Sequence, residues 1–276
     1  MSERDWHRLR EARLQAHYAA QWLGRVGSAF IPPQPDYSHT GMSWNDALVG
    51  FTTDAMKDET RLGLRINDLV FVFLNKEGAR TSSFPLNDRS DKDVRRWLGE
   101  QLGARGMDAR LLDKTSSYEI PAHAIAKGAP YGVIEISDSL RELAGWFADA
   151  EAALDRIRKQ MTGRSLSASP VRCWPHHFDL ATLISLDEGA GEHGHSVNAG
   201  LSPGDEYYDE PYYYVSPYPH PDAAALPPLP KLGHWHTRDF TAAIAPASRI
   251  VKAKDRKAET DDFLLAAVDS AIRILS

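Results

Sequence analysis

Residues 61–86, RLGLRINDLVFVFLNKEGARTSSFPL, decide the fold class. Leu62, Leu64 and Ile66 alternate with Arg61, Gly63 and Arg65, the period-two pattern of a strand with one buried face. Asn67-Asp68 then offers a turn, residues 69–74 form an unbroken apolar and aromatic run, and Glu77-Gly78 offers a second turn before residues 80–86. The spacing predicts an antiparallel meander.

Helical periodicity flanks it on both sides. From Glu3 to Val26, the residues Leu9, Ala12, Ala16, Ala19, Leu23 and Val26 recur every three or four positions, with Gly27 and the prolines at 32, 33 and 35 expected to stop the helix. Ser90 and Asp93 read as a capping box for a helix that buries Val94, Trp97, Leu98 and Leu102, with Gly103 beyond its end. Residues 47–53, 107–112 and 131–136 read as further strands. The longest pattern begins near Ser137, where Leu140, Leu143, Phe147, Ala150, Leu154, Ile157 and Met161 keep one face until Gly163.

Beyond a linker at 165–170, strands are expected at 178–186, 196–201, 212–216 and 240–245. A closing helix is expected with Thr260 as N-cap and Leu265, Val268, Ile272 and Leu275 as its buried stripe. The order of helix, strands and helix thus occurs twice. The expectation is an α+β fold of two similar helix–antiparallel sheet–helix halves packed into one compact unit, divided as residues 1–136 and 137–276.

Composition narrows the function classes. The 276 residues carry a net charge of −6, and the nearest basic run, residues 252–257, is interrupted by Ala and Asp, so no nucleic-acid partner is expected. The single cysteine, Cys173, cannot pair within the chain, which points to a reducing, cytoplasmic setting. The amino-terminal segment is charged from its third residue, so neither a signal peptide nor a membrane partner is expected.

Seven of the eleven histidines fall between positions 176 and 236: His176, His177, His193, His195, His220, His234 and His236. His234 and His236 are two apart and on a strand would share a face, as two metal ligands must. Their spacing matches no established zinc or iron motif, so the alternative is hydrogen-bonded or solvated loop histidines. Six of the ten tyrosines lie in residues 205–218, beside Asp205, Glu206, Asp209 and Glu210. A tyrosine combines a flat apolar face with a polar tip, which suits small polar ligands, and equally suits an edge strand packed on a helix. Asp179, inside an expected strand, reads as ordering the preceding turn.

A chain of short motifs adds to this reading. Ser169-Pro170-Val171, Phe178-Asp179-Leu180-Ala181, Leu201-Ser202-Pro203-Gly204 and Tyr212-Tyr213-Tyr214-Val215-Ser216-Pro217-Tyr218-Pro219 follow one another in the order that resembles an uncharacterised bacterial family, DUF5996. Gly50-Phe51-Thr52-Thr53 and the apolar run at 69–74 extend the resemblance over almost the whole chain. It implies a shared fold and supplies no activity. In one place this chain departs from the family pattern, reading Trp174-Pro175-His176-His177 where an aromatic, glycine-containing stretch is usual, which counts against a metal site common to the family.

Together these residues suggest a cleft that takes a small polar ligand, with candidate contacts His39, His176, His177, Asp179, Asp205, Glu206, Tyr212 and Tyr214. His39 precedes a strand in the first half as His176-His177 does in the second. An enzymatic alternative places a divalent metal on His234, His236 and one of His176 or His177, for hydrolysis or oxygenation, with Asp205 or Glu206 moving protons. A third reading makes the tyrosine-rich edge a surface for subunit interaction, which leaves a homo-oligomer open.

Overall fold

The computed structural model describes residues 6–114, 117–187, 194–223 and 226–276. It is an α+β protein with antiparallel sheets, divided into two compact units: Met1–Ala148 with Arg172–Phe178, and Asp149–Val171 with Asp179–Ser276. No helix among the described residues is long and apolar enough to cross a membrane.

In the first unit the meander forms as its alternation requires. Strands β1 (Ser43–Asn45), β2 (Gly50–Thr52), β3 (Arg61–Arg65), β4 (Val70–Leu74) and β5 (Arg80–Pro85) pair antiparallel in sequence order. β4 is buried on both faces, which explains its unbroken apolar run. Phe71 and Phe73 face Trp97 of α2 (Asp91–Gly103), while Val70, Val72 and Leu74 pack with Leu48 on the other side. The capping box of Ser90 and Asp93 is present, and Gly103 is the last helical residue rather than the first beyond it.

Helix α1 (Trp6–Phe30) runs one turn past the expected stop, because Gly27 lies inside it as a point of close approach. It is buried nearly all round, and its buried face includes Arg13, Gln15, His17 and Gln21. Buried polar groups need partners, and the irregular chain around the helix supplies them. Gln15 accepts the Gly132 amide, Tyr18 donates to the Pro121 carbonyl, and His123 bonds Glu11. Residues 109–113 and 134–136 are therefore short 3-10 turns rather than the expected strands. Their apolar side chains are anchors, and Tyr131 reaches Asp91, which also accepts from Trp22.

Helix α3 (Ser137–Gly163) buries every residue of the expected stripe. Its first half belongs to the first unit and its second half to the other. Strand β7 (Arg172–Trp174) enters the first unit through a reciprocal backbone bridge between Met42 and Cys173.

The second unit orders β6 (Ser167–Ala168), β8 (Asp179–Ser185), β9 (Ser196–Ser202), β10 (Tyr212–Tyr218), β11 (His234–His236) and β12 (Ala242–Pro246) as β11-β12-β10-β9-β8-β6. After the single turn α4 (Ala247–Ile250), helix α5 (Arg256–Leu275) packs on β9 and β10. Its N-cap is Asp255, which bonds the Ala258 amide, whereas Thr260 is buried within the helix. The buried stripe is Phe263, Leu264, Ala267, Val268 and Ala271, so Leu265, Ile272 and Leu275 flank it. Arg156 of α3 pairs with Asp261 of α5 at 2.6 Å.

Candidate functional site

Two glycines one turn apart on α1 determine what can sit beside it. A Cβ on Gly27 would lie 2.3 Å from the His39 carbonyl oxygen, and one on Gly24 would lie 3.0 Å from Cβ of Pro175. Only glycine lets backbone approach a helix this closely. The turn at Ser38–Thr40 and the turn at 174–178 thus lie against one stretch of helix, and a cavity of about 470 Å³ opens between them.

Each wall is held by specific bonds. The Pro175 carbonyl accepts from Nε2 of His17 at 2.8 Å and from the Gln21 amide at 2.6 Å. The Gln21 amide oxygen in turn accepts the Tyr118 hydroxyl at 2.9 Å, so one buried side chain positions two walls. His17 stacks flat on Phe178 and its pKa is lowered to about 4, first by burial and then by the charges of Arg13, His177 and His176. On the opposite wall Tyr37 adopts a left-handed backbone with φ 57°, rare for a residue with a large side chain. Asp36 accepts the Ser38 amide and Thr40 donates to the Tyr37 carbonyl, which together over-determine that conformation.

The lining is aromatic and polar. Tyr37, Tyr118, Trp174 and His176 supply rings, and Arg25, Lys114, Asp36 and His39 supply charge or hydrogen bonds. His39 is buried and accepts the Gln34 amide at Nδ1, so its ring proton sits on Nε2. Asp36 is held below the usual carboxylate range by hydrogen bonds from Ser38. Nε of Arg25 is shielded from solvent and has no hydrogen-bond partner among the described residues, while its guanidinium lies 4.7 Å from the centre of the Trp22 ring.

Of the residues singled out in the sequence, His39 and His176 line this cavity. His177 is exposed, and its ring meets that of His176 at 4.3 Å with a tilt of 55°. Arg25, Lys114, Tyr37 and Tyr118 were not foreseen. The signal that points to them is the Gly24-x-x-Gly27 spacing inside a helix, where glycine is otherwise unfavourable.

The other candidates lie in the second unit, where they mainly bond one another. Nε2 of His236 faces the Arg238 carbonyl, an acceptor only, so that nitrogen carries the proton. Nδ1 of His236 then accepts the Tyr208 hydroxyl at 3.0 Å, and the hydroxyl oxygen accepts Nε2 of His234 at 3.1 Å. Burial lowers the His234 pKa, with Arg249 and His236 adding to it. The two histidines share a face, but Nε2 of His234 and Nδ1 of His236 converge on a tyrosine, while Nδ1 of His234 is buried without a partner among the described residues. Among the described residues no group of three His, Cys, Asp or Glu stands together as a metal site would need. His193 lies outside the described residues. Asp205 accepts the amides of Tyr207 and Tyr208 and the Tyr212 hydroxyl, which closes the loop, whereas Glu206 is exposed.

Asp179 accepts the Tyr214 hydroxyl, and the path between them explains a glycine. The Tyr214 ring on β10 crosses β9 at Gly200, where a Cβ would stand 2.6 Å from the ring and 2.7 Å from the Leu180 carbonyl. Burial raises the Tyr214 pKa well above its usual value, with the Asp179 charge adding to it, so the phenol stays a donor. Gly200→Ala is expected to destabilise this unit by about 2–3 kcal/mol through overpacking. Tyr214→Phe in the same background should recover little, since the carbonyl clash remains; urea titrations of both variants check this.

Comparison with curated proteins and with solved structures returned no match. The model of a family of unknown function matches residues 2–274, nearly the full length. With that match added to the motifs at 169–171, 178–181, 201–204 and 212–219, the chain belongs to the DUF5996 family.

Proposed function

We propose that the first unit binds a small polar ligand in the cavity beside α1. The observation that carries this reading is the convergence of His39, His176, Arg25 and the rings of Tyr118 and Trp174 on one space of about 470 Å³. Small-molecule sites typically enclose about 300–1,000 Å³, with apolar and aromatic walls and a few placed polar groups. The strained Tyr37 supports it, because backbone strain persists where function repays it. The reading is of binding rather than catalysis, since the cavity's carboxylate, Asp36, is held ionised by Ser38 and serves its own turn. The second unit competes less well, because Tyr208, His236, Asp205 and Tyr212 bond within it and only Nδ1 of His234, among these groups, is left buried without a partner among the described residues.

A test is ligand-observed NMR with a library of small carboxylates, phosphates, amides and amines against the wild type and Ser28→Trp. Ser28 is exposed on α1 and lines the cavity, so the indole fills the space without disturbing the core. Compounds that bind the wild type are expected to lose at least tenfold in affinity for the variant. Unchanged binding to Ser28→Trp, or no binding to either protein, would sink the proposal.

A further inference from the structure

We infer that the ligand of this cavity is an oxyanion, a carboxylate or phosphate monoester, carried on a flat aromatic ring, with Arg25 as its anchor. The inference rests on the cavity being the binding site and goes on to name what enters it.

Arg25 supplies the first half. A guanidinium is always charged and offers donors in a fixed plane. Its Nε is out of solvent and without a partner among the described residues, yet the residue lines the cavity. Nε is closed to an entering group as it is to water, so an acceptor in the cavity meets the terminal nitrogens of the same guanidinium, which are not shielded in this way. The Trp22 ring, its centre 4.7 Å from the guanidinium carbon, supports the group beside the cavity. The rest of the lining agrees in sign. Lys114 adds a second cation, and His39 has spent Nδ1 on Gln34, which leaves a donor at Nε2. Two carboxylates oppose them: Asp36 already accepts from Ser38, and Asp113, which feels the Arg25 charge, is paired with Arg95 at 2.7 Å. In a chain of net charge −6, this is a local excess of donors and positive charge. Arginine beside a cavity suits carboxylate and phosphate alike, since both present paired oxygens to its fork.

The walls supply the second half. His176 meets Tyr118 edge-on at 5.8 Å and Trp174 at 6.3 Å, which makes a semi-rigid aromatic wall. Across from it Tyr37 is 66 % exposed, an unusual outlay of aromatic surface unless something covers it. Four aromatic rings lining one cavity favour a planar apolar group among them.

Calorimetry on the full chain with four probes of one skeleton tests this: 2-naphthoate, 2-naphthyl phosphate, 2-naphthamide, and the saturated decahydronaphthalene-2-carboxylate. At least one of the two flat anions should bind about tenfold or more tightly than the amide, the size of a charge-assisted hydrogen bond. It should also bind several-fold more tightly than the saturated acid. Whichever anion is tighter identifies the head group. In Arg25→Met, which keeps the stem over Trp22, the preference for anion over amide should fall below about threefold while amide binding is unchanged. An amide that binds as well as the anions, or a preference that survives Arg25→Met in a variant with wild-type melting, overturns the anchor. If the saturated acid binds equally, the aromatic requirement falls. In each of these cases binding still blocked by Ser28→Trp leaves the cavity reading standing, whereas binding insensitive to Ser28→Trp removes both.

Discussion

Gly27→Ala is expected to destabilise the first unit by about 2–3 kcal/mol and to abolish binding in the cavity. In an exposed helix interior the same change stabilises by up to about 1 kcal/mol, because alanine is the better helix former. Here the added methyl would stand 2.3 Å from the His39 carbonyl oxygen and 3.1 Å from Cα of Thr40. These are backbone atoms and cannot swing aside, so the whole Ser38–Thr40 turn must lift, and His39 with it. Overpacking of this kind typically costs about 1–3 kcal/mol. Gly145 of α3 is an internal control, since a Cβ there meets nothing within 4 Å, and Gly145→Ala should be neutral or stabilising. Six of the seven tryptophans lie in the first unit, so urea titrations followed by tryptophan emission report on it. Equal midpoints for the two variants would show that the close approach is not a constraint.

That glycine illustrates how much of the structure was legible in the sequence. The meander at 61–86 was readable because each strand carries its own period and its turns carry their own chemistry. The capping box at Ser90 and Asp93 was readable because it is local. Gly27 was misread because a glycine after a helical stripe ordinarily marks an end, and only the tertiary neighbour, His39, shows why the helix continues through it. The apolar residues at 107–112 and 131–136 resembled strands because burial alone shapes such patterns. In fact Leu112 and Tyr131 are pinned by α1 and α2, and no strand ladder forms along those runs. Thr260 and Asp255 are both good caps by type, and the choice fell to Asp255, whose side chain reaches Ala258.

The candidate site was legible in part for the same reason. Histidines stand out in a sequence, and His39 and His176 do line the cavity. An arginine at a helical position reads as a solvated face, so Arg25 gave no warning, and neither did Tyr118, which reaches α1 from about a hundred residues away along the chain. The dense run of tyrosines and acids at 205–214 drew attention for its composition. Much of its polarity is spent internally: Tyr212 on Asp205, Tyr214 on Asp179, and Tyr208 between two histidines. Polar groups that satisfy one another specify a packing arrangement, whereas a guanidinium that lines a cavity keeps donors for something that enters it.

Acid is expected to weaken the first unit through His17, in a pH window that carboxylates alone would not give. The unfolded chain takes a proton at His17 near 6.5, whereas in the folded protein burial holds its pKa at about 4. Between those values the unfolded state binds a proton that the native state does not, so stability falls as pH falls. The contribution is fully present above 6.5 and is lost by about 4. Each pKa unit corresponds to about 1.4 kcal/mol, so the whole window amounts to about 3 kcal/mol, and the part between pH 6.5 and 5 to about 2 kcal/mol. His17→Gln removes the titration and keeps an N–H for the Pro175 carbonyl. Urea titrations at pH 7.5 and pH 5 should therefore show the wild type losing about 2 kcal/mol more than His17→Gln, while acid effects from other groups are common to both and cancel. Equal losses in the two proteins would mean that His17 is not held neutral. Because the folded ring stays neutral down to about pH 4, its bond to Pro175, the wall of the cavity, is unchanged over this window, and the loss is one of stability rather than of the cavity's shape.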